Sequence, residues 1–85
     1  MKGPPSRVTA SEAIALIRQC TEDGVRLLGL DGFTVVPDGF RADLDLLLDV
    51  SDRPMTAEEA AAEAEAFIDK NARPDVIWEV WTENS

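Results

Sequence analysis

Apolar residues recur at three- and four-residue spacing in two stretches and at every second position elsewhere, and the change of period divides the chain. Ala13, Leu16, Ile17 and Cys20, with Ile14 beside them, form one helical stripe. Thr9-Ala10-Ser11-Glu12 opens it as a capping box, and Gly24 supplies the left-handed stop. A second box, Thr56-Ala57-Glu58-Glu59, opens an alanine-rich helix with the narrow stripe Ala57, Ala60, Ala64, Phe67 and Ile68. Lys70, Asn71 as a left-handed candidate and Pro74 close that helix.

Between the helices the period is two. Leu44, Leu46, Leu48 and Val50 alternate with Asp43, Asp45 and Asp49, and Leu47 breaks the polar face. Asp31-Gly32-Phe33 and Asp38-Gly39-Phe40 read as hairpin turns, the second preceded by Pro37. These signals predict strands near Val25–Leu30, Phe33–Val36 and Phe40–Val50. Two hairpins cannot give every apolar side chain a buried face in so small a sheet. The conflict resolves through a bulge, or through an irregular 25–30 segment. In a last strand from Asp75 to Thr82, Val76, Trp78 and Val80 alternate with Ile77, Glu79 and Trp81.

The order is α-β-β-(β)-α-β. The expected fold is a small α/β (α+β) two-layer sandwich, with two helices on one face of a three- to four-stranded sheet. The stretch from Phe40 to Thr82 suits a βαβ crossover. Residues 1–8, with Gly3-Pro4-Pro5, read as a flexible lead-in to a single acidic domain over 9–85. The 85 residues are 45% hydrophobic, enough for a thin core.

Charge adds what periodicity does not. Between Asp43 and Asp69 stand nine acids and one base, Arg53, whereas residues 1–26 are close to neutral. With a net charge of −9, such a domain repels nucleic acid and anionic membranes and attracts basic partners. No apolar run is long enough for a signal peptide core or a membrane span, which predicts a cytoplasmic protein. A lone Cys20 excludes an internal disulfide and reads as a small buried residue.

The residue inventory argues against an enzyme. There is no His and no Tyr, so Ser and Thr lack an imidazole base. Gly24, Gly29, Gly32 and Gly39 do not form a phosphate-binding loop. Asp43, Asp45 and Asp49, with Asp52, offer oxygen ligands to a hard cation, but the calcium-loop spacing is missing and no cofactor is expected.

The acids have a second reading. Asp43, Asp45, Asp49 and Asp52, continued by Glu58, Glu63, Glu65 and Asp69 on the following helix, can imitate a row of phosphates. Trp81 falls with Ile77 on the sheet face away from the helices, where Trp favours interfaces. The chain is therefore expected to be a non-enzymatic protein-binding module. It would act like an immunity protein, an antitoxin or a phage inhibitor on a basic partner, for instance a nucleic-acid-binding protein. The candidate contact residues are Asp43, Asp45, Asp49, Asp52, Glu58, Glu65, Asp69 and Trp81. The alternatives are a homodimer or assembly subunit joined through the Ile77/Trp81 face and, behind it, a carboxylate metal site.

Overall fold

Capping chemistry fixes where both helices begin. The computed structural model describes residues 6–83. Helix α1 spans Ala10–Glu22, and helix α2, introduced further along the chain, spans Ala57–Asn71. Each starts with a complete capping box. Thr9 accepts from the Glu12 amide while Glu12 accepts from the Thr9 amide, and Thr56 and Glu59 do the same. Gly24 has φ +73, the left-handed turn expected after α1. At the end of α2, Asn71 is not left-handed as expected. Its side-chain amide instead donates to the Phe67 carbonyl at 2.8 Å, satisfying one of the helix's last acceptors.

Three strands form one antiparallel sheet: β1 Leu27–Val36, β2 Gly39–Asp49 and β3 Val76–Thr82, in the order β2-β1-β3. The Pro37-Asp38 turn closes the β1–β2 hairpin, with Val36 opposite Gly39. The Asp31-Gly32 turn does not form. Strand β1 runs straight through it, because it pairs on both edges and a turn there would forfeit both ladders. Strands β2 and β3 are both antiparallel to β1, so α2 connects two parallel strands across the one between them. The expected crossover is thus present in split form.

The anticipated bulge lies in the β1–β2 ladder. Asp31 faces Leu47 and Phe33 faces Ala42, which leaves residues 43–46 opposite Gly32 alone. The alternation expected from Leu44 to Val50 fails here. Leu44 is 86% exposed, whereas Leu46, Leu48 and Val50 are buried. The extra backbone delivers Leu46 to the covered side of the sheet. A Cβ on Gly32 would sit 2.5 Å from the Leu46 Cβ and 3.1 Å from Trp78, so only glycine fits.

Both helices pack on one sheet face, with α1 over β3 and β1, and α2 over β1 and β2. The core between the layers comprises Ala13 and Ile17 of α1, Ala60, Ala61, Ala64 and Ile68 of α2, and Leu27, Leu30, Leu46, Leu48, Val50, Val76, Trp78 and Val80. Leu48, Leu30 and Val80 form one cross-strand row on that face. Phe67 meets Trp78 edge-on, with ring centroids 6.0 Å apart. Leu16, assigned to the buried stripe, is exposed, since α1 meets its neighbours through the narrower Ala13/Ile17 line. Cys20 is half-buried, and burial followed by the Asp23 charge pushes its thiol pKa up, away from nucleophilic use.

The lead-in expected over 1–8 is not free to its end; residues 1–5 lie outside the described residues. Val8 exchanges two backbone hydrogen bonds with Trp78, at 2.8 and 2.7 Å, and covers part of the outer edge of β3. Arg26 holds the opposite end of the fold. Its guanidinium donates to the carbonyls of Val50, Ser51, Arg53 and Met55, fixing the turn that links β2 to α2.

Candidate protein-binding face

The sheet has a second face that no described helix covers, and cross-strand rows define it. Trp81, Gly29 and Asp49 lie side by side across the three strands. The next row is Glu79, Asp31 and Leu47, and the one after it Ile77, Phe33 and Ala42. Val35 and Phe40 pair beyond them. Val35, Phe40, Leu44 and Leu47 are all exposed, and Phe33, Ile77 and Trp81 are half-buried. A soluble surface rarely gathers so many large apolar side chains unless something docks there.

Glycine at the centre of the first row opens a cleft. Gly29 puts no side chain between Trp81 and Asp49, and a Cβ there would lie 2.5 Å from the Leu48 carbonyl oxygen. The resulting cavity, about 320 Å³, is lined by Leu28, Asp31, Leu47, Asp49, Ser51 and Trp81 among others. A smaller one of about 200 Å³, bounded by Phe33, Asp43 and Leu44, shares Asp31 and Leu47 with it. Together they make a continuous groove along the β1–β2 side of the face.

Carboxylates punctuate this groove. The Trp81 indole N–H donates to Asp31 Oδ2 at 3.0 Å. Asp49 Oδ1 accepts from both the amide and the hydroxyl of Ser51, at 3.0 and 2.6 Å. Those two bonds hold the Asp49 pKa below the ordinary aspartate value, with the Arg53 charge a lesser cause. Asp43 Oδ1 accepts the Asp45 amide at 2.9 Å and stabilises the bulge.

Among the described residues, one base of the chain lies on the face. Arg7 pairs with Glu79 at 3.3 Å, and its guanidinium carbon sits 4.7 Å from the Phe33 ring centroid and 4.9 Å from that of Phe40. This cation accounts for a carboxylate that is only 7% exposed. Asp31 stands directly across from Glu79, an arrangement of like charges that one arginine only half neutralises. Among the described residues, Arg7 is thus the one base lying on a face that carries Asp31, Asp43, Asp49 and Glu79, with Arg53 acting on Asp49 from the turn beyond β2.

The expected contact residues do not form one surface. Asp43, Asp49 and Trp81 share the open face, and Asp45 is exposed in the bulge beside them. Asp52 lies in the turn after β2. Glu58, Glu65 and Asp69 belong to the helix layer on the other side of the sheet. The anticipated row of acids running from strand to helix is therefore broken by the sheet itself. Two helix-layer acids are also already paired: Glu65 with Arg18 at 3.0 Å and Glu63 with Arg53 at 3.3 Å. Glu58 and Glu65 flank a groove between the helices with Arg18, Thr21 and Glu22.

Periodicity identified Ile77 and Trp81 but missed Arg7, Asp31, Phe33, Phe40 and Leu47. The spurious turn at Asp31-Gly32 hid the first of these on β1, since a strand that ends at Leu30 has no Asp31 row. Among the described residues, no three His, Cys, Asp or Glu side chains gather as a metal-binding group. No described helix is long and apolar enough to cross a membrane. The chain matches no protein-family model, no curated protein and no solved structure.

Proposed function

We propose that this protein is a binding module that captures a basic protein partner through the uncovered face of its sheet, as an inhibitor or sequestering protein does. One observation carries the reading. Both helices occupy the same side of the sheet, and among the described residues the free side combines exposed apolar side chains with four carboxylates and one guanidinium, that of Arg7. Apolar side chains supply the contact energy, and the acids around them select and steer a cationic partner.

A second copy of the chain is the other occupant that fits an exposed apolar face. Charge favours the basic partner, because two copies would set like-charged carboxylate rows against each other.

The test is capture by the immobilised chain at low salt and at about 0.5 M salt, where screening is short-ranged. Three versions are compared: the unmodified chain, Leu47→Ser with Asp43→Asn on the open face, and Glu58→Gln with Asp69→Asn on the helix layer. A basic protein held in stoichiometric amount, released by salt and lost only with the open-face pair, is the expected result. Retention by the open-face pair, or loss only with the helix-layer pair, would place binding elsewhere. A dimeric mass that Leu47→Ser converts to monomer would favour self-association.

A further inference from the structure

We infer that the cleft over Gly29 is a seat for an arginine side chain of the basic partner. The inference rests on the proposed function and specifies the group that is recognised. Three features of the cleft point to it.

First, the walls have the right chemistry. An indole, Trp81, forms one side, and two carboxylates, Asp31 and Asp49, complete it. Each carboxylate has one oxygen engaged, by the Trp81 N–H and by Ser51 respectively, and a second oxygen with no donor among the described residues. A planar guanidinium can stack on an indole and donate to carboxylates at once, which an ammonium does less well. Second, no basic residue lines the cleft among the described residues, and the Arg53 charge outside it acts on Asp49 less than the Ser51 hydrogen bonds do. Third, the chain shows the same recognition on the neighbouring half of this face. There Arg7 lies against two aromatic rings and pairs with a carboxylate of the adjacent row. The Trp81 cleft repeats the combination of aromatic ring and carboxylate but lacks the arginine.

The charged-group surroundings support a cation specifically. Asp31 is flanked across the sheet by Glu79, and Leu47 on its other side contributes only apolar surface for an arginine stem. The missing Gly29 side chain provides depth between the carboxylate of one edge strand and the indole of the other.

The test uses the full chain labelled with nitrogen-15 and the probe acetyl-Gly-Arg-Gly-amide, with acetyl-Gly-Lys-Gly-amide as its comparison. The Trp81 indole N–H reports the cleft, and the buried Trp78 indole is the internal control. Asn at position 31 or 49 keeps the acceptor for Trp81 or Ser51 while removing the charge, so Asp31→Asn and Asp49→Asn leave the local hydrogen bonds possible. The expected result is a saturable shift of the Trp81 resonance with the arginine peptide, and about threefold weaker binding of the lysine peptide. Each Asn variant should weaken arginine binding about fivefold, and Glu58→Gln should not. An unmoved Trp81 resonance, or equal binding by Asp49→Asn, overturns the inference. If the peptide fails while the Leu47/Asp43 pair still abolishes partner capture, the arginine seat is wrong and the open-face reading stands. If both fail, the two fall together.

Discussion

The two faces of this sheet are built from the same three strands and behave oppositely. On the covered face Leu48, Leu30 and Val80 make a continuous row beneath the helices, and polar groups are almost excluded. On the open face two rows mix acids with aromatic or aliphatic side chains, Trp81 with Asp49 and Leu47 with Asp31 and Glu79, and the next two are apolar. One face holds the fold together by burying its apolar side chains; the other leaves Val35, Phe40, Leu44 and Leu47 exposed. In a domain of 85 residues the sheet needs only one of its faces to fold, which leaves the other free for the proposed recognition.

The strongest way to break this division is to make one change on each side. Leu30→Ala removes a fully buried side chain from the centre of the covered face and should cost about 2–5 kcal/mol in urea unfolding. Leu44→Ala, the same substitution at an exposed strand position, should stay within about 0.5 kcal/mol. Comparable losses at both sites would mean that the open face is also core.

Arg26 tests whether the turn joining the faces is held by a guanidinium. Arg26→Ala abandons four carbonyl acceptors and should lower stability by about 1–3 kcal/mol. Arg26→Lys should recover little, since a single ammonium cannot span that set. Full rescue by lysine in the same unfolding measurement would show that charge alone suffices.

Cap removal should come next in size. Thr56→Ala deletes the acceptor for the Glu59 amide and should cost about 1 kcal/mol, read as a lower urea midpoint at constant m-value. An unchanged midpoint would mean that tertiary contacts alone fix the start of α2.

The smallest effect concerns acid. Asp49 and Glu12 have pKa values depressed by hydrogen bonds in the folded state, so the unfolded chain binds protons first as pH falls. Their contribution is complete above the ordinary carboxylate range and is lost as pH drops through the depressed folded values. Asp49→Asn should flatten that acid limb slightly, lowering stability a little at neutral pH and converging with the unmodified chain in acid; an acid limb of unchanged steepness would contradict the assignment.

What the sequence revealed follows the range of the interactions. Both helices were legible to their capping residues, because a capping box is complete within four positions. The class of fold followed from the element order. The sheet register was not legible, because it depends on distant partners. Asp31-Gly32 has the local chemistry of a turn, yet Gly32 is there to admit Leu46 and Trp78, and Asp31 meets a tryptophan fifty positions away. Leu44 fits the alternation perfectly well on paper and is displaced by a bulge that no local pattern announces. The candidate face was half visible for the same reason. Trp81 follows from period two along one strand, while its companions come from strands whose register was unknown.

The two tryptophans offer the most direct test of the central claim, since one lies on each face. With the captured basic partner added to nitrogen-15-labelled protein, the Trp81 indole resonance should move and the amides of β1 and β2 along the groove should move with it. Trp78 and the outer positions of α2 should stay in place. Shifts confined to the amides of Glu58, Glu65 and Asp69, with Trp81 unmoved, would contradict the account and transfer binding to the helix layer.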